Sequence, residues 1–168
     1  MKRVLSLIAG TVLGLALIVQ GPAASSGGMP VLTFNTMAAV VGPFVGATNP
    51  IRGVNGGGLP WQIQMAHGVL GSDGRLLVQV QGLVLLDGPP VPQNLRGTNP
   101  VPSFGAIVSC LTIVDGAAAT ANVATDPFPA STTGDSMIQT TVSLPSPCFA
   151  PIIFVGPSAT AWFAVTGQ

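Results

Sequence analysis

The sequence predicts an all-β protein, an antiparallel β-sandwich of immunoglobulin-like or jelly-roll-like kind, preceded by an N-terminal signal helix. Three observations predict it. Helix formers are scarce: Glu is absent, the one Lys lies at position 2, and 22 Gly and 16 Pro interrupt nearly every window of the chain. Short runs alternate apolar and polar residues with the period of two that a half-buried strand requires. Turn residues recur between those runs at the spacing of consecutive antiparallel strands.

The N-terminus, MKRVLSLIAGTVLGLALIVQGPAASSGG, has a basic start at Lys2 and Arg3, an uncharged apolar stretch from Val4 to Val19, and then small residues. That is the plan of a secretory signal peptide over residues 1–26, with cleavage expected at about residues 23–26. The alternative is an uncleaved anchor, because the stretch is only a little short for a spanning helix. No cysteine follows it closely, which excludes a lipid-modified N-terminal cysteine. Residues 27–168 are then expected to form a single sandwich domain.

VLTFNTM and AVVGPFV read as the first strands, and a Gly-rich loop, Ala47 to Pro60, follows. In WQIQMAHGV the alternation places Trp61, Ile63, Met65 and Val69 on one face and Gln62 and Gln64 on the other. After the turn Gly71-Ser72-Asp73-Gly74, RLLVQVQGLVLL sets Leu76, Val78 and Val80 opposite Gln79 and Gln81, so the two runs form a hairpin. A Pro-rich loop from Asp87 to Pro102 leads to the strand FGAIVSCLTIV and the Asp115-Gly116 turn. ANVAT, the loop DPFPASTTGDS, the alternating MIQTTVSL, the corner PSPC, PIIFV and TAWFAVT complete the chain.

The segments GLPWQI, DGRLLVQVQGLVL, GTNPVPSFGAIVSC, DPFPASTTGD, SLPSPCFAPIIFV and WFAVTG together resemble a group of small secreted bacterial β-proteins of uncharacterised activity. The resemblance covers most of the chain after the leader. It implies secretion and an all-β fold, and it carries no catalytic residue over.

Charge excludes several functions. Without the leader, Arg52, Arg75 and Arg96 face Asp73, Asp87, Asp115, Asp126 and Asp135, so the domain is slightly acidic and has no basic patch. Nucleic acid is therefore not expected as a partner, nor is steering toward anionic headgroups, and no membrane contact is expected once the leader is removed. Only 6% of residues are charged, so Thr, Ser, Gln, Asn and Gly must supply the polar surface. Such a surface suits an exported or self-associating protein.

The chemistry-bearing residues are few. Cys110 and Cys148 in an exported chain are expected to form a disulfide, and closing a loop of about 38 residues stabilises by roughly 4 kcal/mol at most. A free thiol would instead need a base or co-ligands nearby. His67 is the only histidine, so base catalysis must use it. By alternation it shares the face of Met65 and Val69, unless a bulge at Gly68 turns it outward. No Gly-X-Ser-X-Gly elbow is present, and Asp73, Asp87 and Asp115 each precede glycine as turn residues do.

Asp126 and Asp135 flank a Ser/Thr-rich loop without the spacing of an EF-hand, and Gly56-Gly57-Gly58 lacks the lysine of a phosphate loop. No metal or cofactor is expected. Trp61 and Trp162 are expected in the core; facing outward, either would offer a stacking platform for a sugar ring. Loop residues such as Asn99, in the second of two Thr-Asn-Pro copies, would then bind hydroxyls. The sequence thus predicts a non-enzymatic structural or adhesive module, secreted or in the cell envelope, whose partner is a second copy or a surface glycan. A small-ligand or glycan-binding module is the alternative, and a His67-dependent hydrolase the third reading.

Overall fold

The computed structural model describes residues 28–166, and the predicted signal segment, residues 1–26, lies outside them. In chain order the strands are β1 (Pro30–Phe34), β2 (Met37–Ala39), β3 (Asn55–Gly56), β4 (Trp61–Gln62), β5 (Met65–Gly71), β6 (Arg75–Gln81) and β7 (Val84–Leu85). They continue with β8 (Ser103–Val114), β9 (Ala117–Ala124), β10 (Phe128–Pro129), β11 (Ser136–Thr141), β12 (Phe149–Gly156), β13 (Ala161–Trp162) and β14 (Ala164–Thr166).

Two antiparallel sheets dominate. The first has the order β1-β5-β6-β11, and the second β10-β8-β12-β14-β2, with β9 also paired to β8. The fold is therefore all-β with antiparallel main sheets, as the alternation predicts. Inward side chains of both sheets, among them Leu70, Leu76, Val78, Val80 and Ile138 from the first and Phe104, Val108, Ile153 and Val155 from the second, form one core.

Turn chemistry sets the two long hairpins. Gly74 has φ +82° and its N–H donates to the Gly71 carbonyl, closing the β5–β6 turn where the sequence places it. Asp115 (φ 51°) and Gly116 (φ 78°) form a two-residue connection of β8 to β9, in which both central residues are left-handed. Asp tolerates that region and Gly favours it, and the mirror-image turn matches the right-handed twist of the flanking strands.

Three expectations are corrected. AVVGPFV is not a strand: only Met37–Ala39 pairs, and Gly42–Phe44 makes a single 3-10 turn, because Gly42 takes φ +56° and Pro43 fixes the next dihedral. WQIQMAHGV is two strands, not one. Trp61 is buried but Met65 is 49% exposed, because β4 pairs with β7 whereas β5 pairs with β1 and β6, and the chain changes face between them. Finally, TAWFAVT breaks at Phe163 into β13 and β14.

The second sheet is covered on both faces. Trp61 stacks on Phe163 (centroids 3.7 Å apart, 15° between planes), and Phe104 meets both rings edge-on inside the core. The adjacent Trp162 points the other way and packs on Phe154 and Phe44. There the segment from Val40 to Gly57 lies over the sheet, with β3 paired in parallel to β13. Arg52 pins the cover: its Nη1 donates to the Ser109 carbonyl at 2.8 Å, and Asn122 Nδ2 donates to the Arg52 carbonyl at 2.9 Å. Two buried polar atoms, Ser109 Oγ and Trp162 Nε1, have no hydrogen-bond partner among the described residues.

Two glycines of the triplet, Gly56 and Gly57, serve this close approach. A Cβ on Gly56 would run into the Phe44 carbonyl, and one on Gly57 would lie 2.8 Å from the Phe163 ring. Gly57→Ala is expected to cost about 1–3 kcal/mol through overpacking, read as a lower urea midpoint with an unchanged slope.

Cys110 and Cys148 are bonded, joining β8 to the segment that leads into β12, as the sequence predicts. Cys110 is fully buried beneath the core. The double variant Cys110→Ala/Cys148→Ala is expected to unfold at lower urea, losing roughly 2–4 kcal/mol by loop-closure entropy. An unchanged midpoint would contradict that expectation.

Candidate functional site

The residues nominated from sequence do not converge. Trp61 is 3% exposed and Trp162 is 2% exposed, and they lie in the two separate aromatic clusters on opposite sides of the second sheet. Neither presents a ring face to solvent, so the condition for sugar stacking is not met by either indole. Asn99 is 4% exposed and bound on all sides: Nδ2 donates to the carbonyls of Val101 and Ser131 at 2.8 Å each, and Oδ1 accepts the Val101 N–H at 3.0 Å. It joins the Asp87–Pro102 loop to the loop before β11. A side chain so committed has no free donor for a ligand.

His67 alone of the four is exposed. The ladder from Met65 to Leu70 against Gln81 to Leu76 runs without a bulge, so His67 does share its face with Met65 and Val69. That face is the outer one, because Ala66 and Leu70 occupy the core and Gly68 gives room to the Phe34 ring, 2.6 Å from where a Cβ would stand.

Register builds the outer face row by row. Gln79 lies opposite both His67 and Met137, and Leu77 lies opposite both Val69 and Gln139. Arg75 pairs with Thr141 at the end. The result is an open face of Gln, Met, Leu and Thr side chains with one imidazole, which makes no hydrogen bond to another described side chain. A shallow groove of about 540 Å³ runs across it, lined by Val69, Arg75, Leu77, Gln139, Thr140 and Thr141. Sequence reasoning placed Gln79 outward but missed this groove. The alternation of MIQTTVSL carries the signal for Gln139 and Thr141, yet only the pairing of β11 with β6 brings them beside Leu77.

The two loops singled out in the sequence do meet. Pro60 from one and Pro89 and Pro90 from the other line an apolar hollow of about 290 Å³ with Val41 and Leu86. Its walls offer few polar groups, so it suits an apolar contact better than a hydroxylated ligand.

Two of the five carboxylates, Asp73 and Asp135, hold turns. Asp135 Oδ1 accepts the Gly82 N–H at 3.0 Å, and Oδ2 accepts the Thr133 hydroxyl at 2.8 Å and that of Ser131 at 3.3 Å. The Gly82 N–H first, and then the two hydroxyls, hold its carboxyl below the usual range. Asp73 is held low in the same direction by the N–H groups of Gly28 and Arg75 and, more weakly, by the Arg75 charge at 3.2 Å. Among the described residues no three His, Cys, Asp or Glu side chains gather as a metal site would need.

A depressed folded-state pKa stabilises the fold above the unfolded value of about 3.9 and ceases to do so as pH falls through the folded value. Urea midpoints measured from neutral pH downward should therefore hold steady until about pH 4 and then fall. Asp73→Asn/Asp135→Asn should show a shallower acid decline than the unchanged chain. Comparison with protein-family models, with curated proteins and with solved structures finds no match to this chain.

Proposed function

We propose that this chain is an exported β-sandwich, immunoglobulin-like or jelly-roll-like in type, that works without turnover as a structural or adhesive module at the cell surface or in the extracellular space. The observation that supports it best is the outer face of the β1-β5-β6-β11 sheet. That face is broad, open and uncharged except at the Arg75 end, and its Gln and Met side chains suit contact over an area. Gln side chains both donate and accept, and Met adapts to uneven partners.

The chemical groups support the same reading. The lone imidazole stands opposite an amide, Gln79, and not opposite a carboxylate that could orient it as a base. The Cys110–Cys148 bond is consistent with an oxidising compartment. The partner in this reading is a second copy of the chain or a glycan of the cell surface.

The groove supports a second reading, a module for a small ligand or a glycan. Arg75, Gln139 and Thr141 would bind hydroxyls there while Val69 and Leu77 support the apolar side of the ligand.

The test places charge on the face. Leu77→Glu and Met137→Glu leave core positions untouched, so thermal unfolding should stay close to that of the unchanged chain. Adhesion of cells displaying the chain to coated surfaces, or self-association in sedimentation, should fall several-fold. Unchanged adhesion would remove the face from the reading. A hydrolytic turnover abolished by His67→Ala would overturn the non-enzymatic assignment.

A further inference from the structure

One end of the fold gathers most of the exposed apolar surface. Of the ten large apolar side chains most exposed among the described residues, six lie there: Met29, Val31, Leu111, Ile113, Val114 and Phe149, each between 42% and 79% exposed. Separate segments carry them, and the topology brings those segments together. Gly28 N–H donates to Asp73 Oδ2 at 2.9 Å, and Ser72 N–H donates to the Met29 carbonyl at 2.8 Å, tying the N-terminal segment to the β5–β6 turn. Val31 shares a hollow of about 290 Å³ with Ser72, Leu144, Pro145, Ser146 and Cys148. Cys148 is bonded to Cys110, and the next residue, Phe149, lies opposite Leu111 in the β12–β8 ladder. From there β8 and β9 run on to the hairpin tip, where Ile113 and Val114 stand in solvent beside Ala117 and Ala118.

The described residues begin at this same end, at Gly28. The apolar stretch Val4 to Val19 reaches Gly28 through an uncharged link, Gln20 to Gly27. An eight-residue link spans at most about 28 Å, so while that stretch is in a membrane Gly28 stays within that reach of the lipid surface. The turns at this end carry Asp73 and Arg75, which pair with each other, and Asp115 at the hairpin tip, whose carboxylate must stay among the headgroups.

Against the expectation from charge that the chain has no membrane contact once the leader is removed, we propose that this end of the fold is a bilayer-docking surface, with Phe149, Leu111 and the β8–β9 hairpin tip seated at the boundary of headgroups and acyl chains. This rests on the reading of the chain as exported, and it names the surface on which the module sits. Attraction is apolar, since no basic cluster is available to hold anionic lipid. Binding is therefore insensitive to salt. The open face of the β1-β5-β6-β11 sheet, which carries Met137, stays out of the lipid and free for a partner.

The experiment uses the full chain, expressed with its leader and isolated in the form the cell produces. Phe149→Trp places a fluorescent probe at the proposed contact, Ile113→Trp a second at the hairpin tip, and Met137→Trp a third on the sheet face. The native Trp61 and Trp162 are buried and supply a common background. Each variant is mixed with zwitterionic phosphatidylcholine vesicles whose acyl chains are brominated, and thermal unfolding identifies any variant that has not folded.

Quenching several-fold stronger at positions 149 and 113 than at 137, and equal at low and high salt, is the expected result. Either of the first two probes suffices if the other variant fails to fold. Equal quenching at all three positions would overturn the proposal, as would a dimer in sedimentation that shields position 149 without lipid. Protease added outside intact cells reads export separately. An exported chain with unquenched probes removes the docking and leaves the export, whereas a chain retained inside removes both.

Discussion

Strand β8 is hydrogen-bonded along both edges, to β12 on one side and to β9 and β10 on the other, and this double pairing is the constraint on which the structure depends. A strand in mid-sheet cannot tilt away from either neighbour, so the side chains on both of its faces stay where the backbone puts them. From Ala106 to Cys110 every residue is buried, which breaks the simple alternation of inside and outside. The inward set meets the first sheet. The outward set, Ile107 and Ser109, requires a separate cover, and the segment from Val40 to Gly57 supplies it.

The rest of the second sheet follows from that cover. Trp162 and Phe163 are neighbours in sequence and serve different layers, one under the cover with Phe44 and Phe154, the other in the core with Trp61 and Phe104. Phe163 stands at the break between β13 and β14, and both aromatics are buried because the sheet is apolar on both faces there. Arg52 contributes by donating to a carbonyl of β8, so its charge is spent on position and not on a carboxylate partner. Burial lowers its pKa, and the guanidinium remains protonated. Where the cover stops, just past Ser109, Leu111 and Ile113 continue the same face into solvent. The exposed apolar end of the molecule is thus the unprotected continuation of a covered strand.

The first sheet obeys a different rule. Its central strand β6 keeps a strict period of two, with Leu76, Val78 and Val80 inside and Arg75, Leu77, Gln79 and Gln81 outside, because only one face of the sheet meets apolar neighbours. Two carboxylates complete turns in this sheet: Asp73 accepts the Gly28 N–H, and Asp135 the Gly82 N–H. With so little charge elsewhere, the outer face is left to amides, thioethers and hydroxyls. Its groove follows the register, with Thr141 opposite Arg75 and Gln139 opposite Leu77.

The residues by themselves determined the all-β class, both hairpin turns, the inward set of β6 and the cysteine pair, because each depends on local dihedral preference or on a pairing with one solution. They also led to the outward placement of Gln79, through the period of two. They did not determine the phase of Trp61 against Met65, the outward aim of His67 or the burial of Asn99. Those depend on which strand lies next to which, and a run such as WQIQMAHGV reads alike whether it pairs once or is divided between two partners. The tertiary structure alone decided that both faces of β8 are covered, that the two indoles lie in separate clusters, and that Met29, Phe149 and Ile113 share one end. Contacts between segments more than a hundred residues apart leave no periodic trace in the chain, and only the packing of the sheets brings them together.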